Sequence, residues 1–192
     1  MRLFAALDVP DQIAHPLQSW RARFAPAMAR QGWRMLEPHA WHLTLAFYGE
    51  VNGRECAALV ERLAEDIEEY AAPRLRLEAC GVFPSAARPR SFWVGVGDVS
   101  HRLEKLARCC RRAGHATLRK RGRREEPFRG HITLARARGK VPCFTPEHYR
   151  LPQVPALDWT PERLCLFRSW LRPEGAHYAC VEAFALKGEM DV

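Results

Sequence analysis

The sequence predicts an α+β protein with two pseudo-symmetric lobes, each an antiparallel sheet that carries helices on its outer face, and a cleft between the lobes. The first observation behind this prediction is a four-residue motif that occurs twice, as His-Leu-Thr-Leu at 42–45 and as His-Ile-Thr-Leu at 131–134. The second observation is that each copy is the last element of the same predicted series: strand, acidic turn, amphipathic helix, connector and motif strand. The motif histidine follows the acidic turn by 34 positions in the first half and by 33 in the second. We therefore expect residues 1–192 to form one bilobal domain with an internal duplication.

The elements of the first half follow from local patterns. Light alternation over 3–8 predicts a strand, and Pro10-Asp11 is typical of a helix start. The helix keeps four apolar side chains on one face: Ile13, Leu17, Trp20 and Phe24. Gly32 ends this segment, and a short strand over 33–36 precedes the motif strand over 41–48.

A second helix and two strands are predicted after the first motif. Asn52 and Glu55 have the spacing of a capping box at a helix start. The spacing predicts one buried stripe on this helix: Val60, Leu63, Ala64 and Ile67. Pro73 ends the helical region because proline has no N–H to donate, and strands are expected over 74–78 and 91–96. The loop between those strands contains Gly81 and residues 84–89.

The second half repeats this order. The acidic turn 98–100 leads into a helix that ends at Gly114. Its predicted buried face contains Leu103, Leu106, Cys110 and Ala113. After the second motif, segments 163–171 and 178–186 predict a closing hairpin through Pro173-Glu174-Gly175.

Each motif offers an imidazole and a hydroxyl on one face of a strand. Side chains alternate between the faces of a strand, so His42 lies beside Thr44, and His131 beside Thr133, while the intervening apolar residues face the core. An imidazole exchanges a proton near neutral pH, and a hydroxyl donates a hydrogen bond to an oxyanion. Two such units that face each other would form an acid–base pair around a phosphate.

The composition narrows the class of protein. No apolar run approaches the roughly 20 residues that span a bilayer, and no signal peptide is evident, so we expect a soluble cytoplasmic protein. The seven cysteines show no paired spacing, which argues against a disulfide framework and a zinc ribbon, and we identify no metal site. The formal net charge is +8, and nearly all the cationic side chains are arginine, whose planar guanidinium suits phosphate oxygens. A codon bias toward arginine would explain the same excess without an anionic ligand.

The chain resembles a known family over essentially its whole length. Residues 42–51 and 131–136 resemble the two motifs of the 2H phosphoesterases, and more narrowly those of the bacterial and archaeal RNA 2′,3′-cyclic phosphodiesterases, also called 2′-5′ RNA ligases. Further matching segments are Gly81–Ser85, Arg88–Gly95, Ser169–Leu171, Gly175 and Tyr178.

The resemblance implies metal-independent hydrolysis of an RNA 2′,3′-cyclic phosphate end to a 2′-phosphate. It assigns His42 as the general acid and His131 as the general base, with Thr44, Thr133 and Arg136 in contact with the phosphate. It implies no cofactor, no membrane contact and no obligate protein partner, so we expect a monomer whose partner is RNA or a nucleotide with a cyclic end.

Two positions depart from simple expectations. Phe47, a candidate base-stacking platform or a core residue, and Arg136 lie on the strand parity opposite to the histidines. A bulge or twist in each motif strand would bring them to the same face. Gly130 precedes the second histidine where the family pattern has proline, which loosens the backbone there.

Two other functions fit the same residues. One is 2′-5′ RNA ligation, the reverse reaction, and the other is a non-catalytic RNA-binding module, against which the presence of two proton-exchanging histidines argues. The basic run 119–124 is either a solvated loop or a contact for the RNA backbone.

Overall fold

The computed structural model describes residues 1–118, 127–172 and 175–188. Its helices are α1 (Asp11–Ala22), α2 (Ala25–Arg30), α3 (Gly53–Ile67) and α4 (Leu103–Thr117). Its strands are β1 (Arg2–Asp8), β2 (Trp33–Met35), β3 (His42–Glu50), β4 (Leu75–Phe83), β5 (Ser91–Asp98), β6 (His131–Ala137), β7 (Asp158–Trp159), β8 (Arg163–Arg172) and β9 (Gly175–Ala185). None of the helices in these ranges combines the length and apolarity needed to cross a bilayer.

Within the described ranges, nine strands form one antiparallel sheet, which confirms the predicted α+β class. The order is β7-β4-β5-β6-β3-β1-β8-β9, and β2 also pairs with β6. The two halves of the sheet join where β3 meets β6, and the pairing found there matches Leu43 with Ile132. Farther along, β2 takes the place of β3 beside β6, with Met35 opposite Ala135. The two halves therefore diverge from a short seam, and the motif strands form that seam.

The helices cover the sheet in a crossed arrangement. Trp20 of α1 and Phe24 pack on the ring of Phe92 in β5, with centroid distances of 6.4 and 5.7 Å. In the opposite sense, the Tyr48 hydroxyl of β3 donates to the Cys110 carbonyl of α4 at 3.1 Å. A helix from each half of the chain thus packs on strands of the other half.

The predicted helix boundaries needed two corrections. The first helix ends at Ala22, before Phe24, because Pro26 has no N–H to bond the carbonyl four residues earlier. The fourth helix continues past Gly114, where a side chain would place its Cβ 2.8 Å from the ring of Tyr48. This glycine therefore serves close packing of α4 on β3 rather than helix termination.

The predicted strands are confirmed, and most are longer than predicted; the exception is β2, which ends at Met35. Gly81, expected in a loop, lies inside β4, and a Cβ there would approach the Trp93 ring to 2.6 Å. The predicted hairpin is confirmed in β8 and β9, although residues 173–174 lie outside the described ranges. The capping box is also confirmed, because Asn52 and Glu55 exchange both hydrogen bonds at 2.9 and 3.0 Å.

Candidate active site

The two motifs meet at the seam between the halves of the sheet. Leu43 and Ile132 pair there, and both are buried on the core face. Continuing this antiparallel register by one residue in each direction sets His42 against Thr133, and Thr44 against His131. Because side chains alternate along a strand, the two histidines and two threonines all lie on the face opposite to the core. Each imidazole is therefore flanked by the hydroxyl of the other motif.

Each motif strand has a β-bulge at the same offset from its histidine. Between β1 and β3 the register passes from Ala6–Thr44 to Ala5–Ala46, so Leu45 is the extra residue. Between β5 and β6 it passes from Trp93–Thr133 to Phe92–Ala135, so the extra residue is the leucine three positions after the second histidine. Both leucines are buried, as are the alanines that follow them.

The bulges bring Phe47 and Arg136 to the histidine face. After two successive buried residues, the next side chain in each strand turns outward. Phe47 is 78% exposed, so it is not a core residue. The cation of Arg136 acts electrostatically on both His42 and His131. The bulges therefore explain why Phe47 and Arg136 lie on the histidine face, although simple alternation would place them on the other face.

A backbone carbonyl two residues earlier fixes the orientation of each imidazole. The Nδ1 atom of His42 lies 2.9 Å from the Ala40 carbonyl oxygen, and that of His131 lies 2.7 Å from the Arg129 carbonyl oxygen. Because a carbonyl oxygen only accepts, each Nδ1 carries the hydrogen. Each Nε2 is then the atom that accepts a proton when the ring is neutral and donates one when it is charged.

The surroundings of both imidazoles favour the neutral form. Burial lowers the pKa of His42 to about 4, and the charges of Arg136 and His131 add to this effect. Burial also lowers the pKa of His131, with smaller contributions from Arg136 and Arg129. These surroundings therefore favour neutral rings at pH 7.

The two histidines have different charged neighbours. Asp8 lies opposite His42 in the β1–β3 register, and its carboxylate opposes the lowering of the histidine's pKa. The corresponding neighbour of His131 in the β5–β6 register is Gly95, which carries no charge. The nearby charge specific to His131 is the cation of Arg129, which lowers its pKa. The motifs are alike in geometry and share the cation of Arg136, but they differ in the additional charge nearby, a carboxylate at His42 and a cation at His131.

Aromatic rings surround both histidines. The ring of His42 lies 4.9 Å from Phe4 and 5.0 Å from Tyr178, measured between centroids. The ring of His131 lies 5.1 Å from Phe83. Sequence reasoning gave these rings no role at the site, because they come from strands far apart in the chain. The only signal was that Phe83 and Tyr178 fall in segments that resemble the family.

A buried arginine holds the segment that leads into the first motif. Arg21 of α1 is 7% exposed; its guanidinium donates to the Leu36 carbonyl and lies 5.0 Å from the Trp41 ring. The Trp41 indole donates to the same carbonyl at 3.1 Å. The Leu36 N–H, in turn, donates to the carbonyl of Leu134 at 2.9 Å, at the bulge of the second motif. Arg21 therefore fixes a segment that contains Ala40 and is tied to both motifs.

A cavity of about 640 Å³ lies where β1 ends and β8 begins. The lining of that cavity includes Asp8, His39, Trp41 and Arg163. Neither motif histidine lines it, so the site is defined by the convergence of proton-exchanging groups at the seam. The basic run 119–124 lies outside the described residues.

Comparisons by family model, by sequence and by structure all find similar proteins. The family model described as "LigT like Phosphoesterase" matches residues 7–93. The RNA 2′,3′-cyclic phosphodiesterase of Thermus thermophilus is 34% identical over 98% of this chain and 92% of its own length. A crystal structure of a Thermus thermophilus protein matches with a TM-score of 0.81 and 30% identity, covering 98% of this chain and all of that one. The structure of E. coli LigT complexed with NADP+ matches with a TM-score of 0.73 and 25% identity, covering 96% of this chain and 97% of that one.

Proposed function

The chain belongs to the LigT-like phosphoesterase family, and on this premise we propose that it hydrolyses RNA 2′,3′-cyclic phosphate ends to 2′-phosphates. The observation that carries the proposal is the meeting of two histidines, each with Nε2 as its proton-exchanging atom, on one face of the seam. A relative that matches nearly the whole chain is named RNA 2′,3′-cyclic phosphodiesterase. Opening a cyclic phosphate needs one proton removed and one supplied on opposite sides of phosphorus, which two separate imidazoles can do.

In the proposed reaction, water attacks phosphorus in line with the ribose O3′. The Nε2 atom of His131 accepts a proton from the water as the new P–O bond forms. The P–O3′ bond breaks, and O3′ takes the proton from Nε2–H of His42. The products are a 2′-phosphate and a free 3′-hydroxyl, and proton exchange with solvent restores both rings.

Thr44, Thr133 and Arg136 would stabilise the charge on the non-bridging oxygens. Neither threonine hydroxyl has a hydrogen-bond partner within the described ranges, and both are on the histidine face. Hydroxyl and guanidinium donors held in place act where negative charge develops in the transition state. The electrostatic reach of Arg136 to both imidazoles fits a cation centred on the reacting group.

The proposed polarity comes from the family resemblance, because the summed surroundings lower the pKa of His42, the proposed acid, to about 4. Only the charge specific to each histidine has the sign that its proposed role needs. A general acid must be protonated at the start, and the carboxylate of Asp8 favours the charged form of His42. A general base must be neutral, and the cation of Arg129 favours the neutral form of His131. Burial and the charges of Arg136 and His131 oppose protonation of His42, so the negative charge of the bound phosphate must offset them.

The identity of the product tests the proposal. We expect the protein to convert cytidine 2′,3′-cyclic phosphate to the 2′-phosphate in the presence of EDTA, because the proposed proton transfers require only side chains. The two phosphate isomers are separated by chromatography or by ³¹P NMR. Formation of the 3′-phosphate would contradict the in-line attack opposite O3′, and loss of activity in EDTA would contradict the metal-free mechanism. Binding without turnover would instead support the RNA-binding module.

The same assay across pH should give a bell-shaped profile. For kcat/KM, which reports the free protein, we expect the maximum to lie below pH 6.5, the ordinary pKa of histidine, because burial lowers the pKa of both His42 and His131. For kcat, which reports the complex, the maximum should move to higher pH because an anionic substrate favours the imidazolium form. Identical profiles for the two quantities would contradict this account.

Arg21→Met should lower kcat more than it raises KM. The substitution removes the guanidinium that holds the Leu36 carbonyl, so the Ala40 carbonyl behind His42 loses its fixed position. A small misplacement of a catalytic group costs up to about a hundredfold in rate, and we expect a loss of about tenfold or more in kcat. Arg21→Lys, which keeps a donor for that carbonyl, should recover part of it.

Histidine NMR separates positioning from general destabilisation in this experiment. In Arg21→Met, the imidazole nitrogens of His42 should show a larger fraction of the Nε2–H tautomer than in the parent protein. A variant with unchanged tautomer and unchanged kcat would show that Arg21 only contributes to stability.

A further inference from the structure

The guanidinium of Arg129 is held against an aromatic wall beside the second histidine. Its Cζ atom lies 5.4 Å from the ring centroid of Trp93 and 6.0 Å from that of Phe83. The ring of His131 lies 6.0 and 5.1 Å from the same two rings. Trp93 is itself fixed, because it is buried and its ring lies over Gly81 with no space for a Cβ. The cation therefore has a rigid support next to the proposed base.

The side chain of Arg129 is exposed, and no described residue occupies its hydrogen-bonding edge. Within the described residues it makes no ion pair with a carboxylate, and its recorded side-chain contacts are the two aromatic rings. The rings cover one face of the guanidinium, which leaves N–H groups for a ligand. A planar guanidinium with free N–H donors fits phosphate oxygens, and stacking reduces the entropy lost when it binds them.

The reacting phosphate already has its own cation at the seam. Arg136 acts on both histidines, as expected for a charge near the midpoint between them. Arg129 lies beside His131, because both side chains pack against the rings of Phe83 and Trp93. The position equivalent to Arg129 in the first motif is Ala40, which carries no charge. The additional cation is thus displaced to one side of the site, beyond the second histidine.

We propose that Arg129, stacked on Phe83 and Trp93, binds the phosphodiester adjacent to the cyclic end of an RNA strand. This inference rests on the proposed function and names its substrate class more closely: an oligonucleotide end, in preference to a cyclic mononucleotide. A mononucleotide has only the reacting phosphate, so it gains nothing from this arginine. A strand of two or more nucleotides offers a second phosphate one nucleotide away.

The test compares three substrates in the parent protein and in Arg129→Gln. They are cytidine 2′,3′-cyclic phosphate, the dinucleotide CpC with a 2′,3′-cyclic end, and the same dinucleotide with an uncharged methylphosphonate linkage. The readout is the ratio of kcat/KM between a dinucleotide and the mononucleotide, which cancels any effect of the substitution on His131. A charge-assisted hydrogen bond contributes about tenfold or more, so we expect a ratio of about ten for the charged dinucleotide in the parent protein.

The proposal makes three further expectations. The ratio should fall to near one in Arg129→Gln, and it should be near one for the methylphosphonate dinucleotide in both proteins. Arg129→Lys should give an intermediate ratio, because lysine keeps the charge without the planar stacking. In the parent protein, the kcat/KM ratio for the charged dinucleotide should also fall with added salt, with the dependence on salt concentration expected for about one phosphate contact.

Arg168→Gln is the matched control. Arg168 also lies over an indole, with its Cζ atom 5.8 Å from the Trp170 ring centroid, and it is exposed. Its neighbour in the strand, Phe167, faces His42, so Arg168 lies on the opposite face of β8. Removal of this arginine should leave the ratio at the parent value.

The failures are distinguishable. If the parent protein hydrolyses both natural substrates with a ratio near one, or if Arg129→Gln leaves the ratio unchanged, the inference is overturned and the proposed function stands. A preference for the dinucleotide that persists with the methylphosphonate linkage would assign the advantage to base stacking and would also overturn it. Absence of hydrolysis of any cyclic end would refute the proposed function itself.

Discussion

Replacing His42 or His131 by alanine should lower kcat/KM for a 2′,3′-cyclic nucleotide by about 10²–10⁴-fold in each case. Each imidazole is held by its Nδ1–H with Nε2 as the exchanging atom, and alanine removes the only group at that position that can move a proton. Steady-state kinetics with the cyclic mononucleotide measure the loss. His15→Ala is the control, since His15 is an exposed residue of α1 outside the seam.

The double variant should lose much less than the product of the two single losses. Groups that act as a unit in one transition state are strongly non-additive, because removing either one already abolishes the concerted transfer. The midpoint temperature of thermal unfolding of each variant should remain close to that of the parent, which would show that the loss of rate does not come from unfolding. Retention of activity in His131→Ala would show that another group or bulk solvent takes the proton of water.

Replacing Phe92 by alanine should lower the free energy of unfolding by about 3–5 kcal/mol. Phe92 is fully buried in β5, and its ring contacts Trp20, Phe24 and Phe144 at centroid distances of 6.4, 5.7 and 5.5 Å. The substitution leaves a cavity where α1 packs on the sheet, lined by large rings that cannot collapse into it. Urea denaturation followed by tryptophan fluorescence measures the change.

Phe47→Ala provides a comparison at the same residue type. Phe47 is 78% exposed, so its removal should change the free energy of unfolding by less than about 0.5 kcal/mol. If Phe47 contributes to base stacking, KM for the cyclic nucleotide should rise while stability is kept. Equal stability losses in Phe47→Ala and Phe92→Ala would contradict the burial assigned to the two rings.

Much of the fold and the core of the candidate site could be predicted from the repeated motif. Periodicity located every long element, and the phase of His42 with Thr44 in a strand is a direct consequence of alternation. The pairing of the two motifs in one seam required the assumption that equivalent strands face each other. The structure shows the more specific result that they are neighbours in one sheet. The crossing of the helices had no signal in the sequence.

The bulges show where local rules were insufficient. Simple alternation turned Phe47 and Arg136 away from the histidines, and the sequence held only an indirect sign of the contrary. That sign is the pair of successive apolar residues, Leu45-Ala46 and Leu134-Ala135, at the same offset in both motifs. Matching bulges also support the inference of an internal duplication, because a shared irregularity is less expected by chance than a shared strand.

The asymmetry of the site could not be predicted from the motifs themselves. Asp8 and Arg129 lie near different histidines, and their influence depends on strand register and on aromatic stacking. Gly130 is similar: its departure from the family pattern suggested a looser backbone. In the structure a Cβ there would lie 2.6 Å from the carbonyl oxygen of Val96, whose N–H bonds the Gly130 carbonyl. The missing side chain permits a close strand contact beside His131.

Because α1 packs on β5 and α4 packs on β3, each half of the chain covers part of the hydrophobic core of the other half. Pulling the halves apart would strip Phe92 of Trp20 and Tyr48 of its bond to Cys110 in the same movement. Neither half could then survive as a folded fragment, and the molecule should melt in a single transition. The relative position of the two motif histidines therefore depends on helix packing on the opposite face of the sheet.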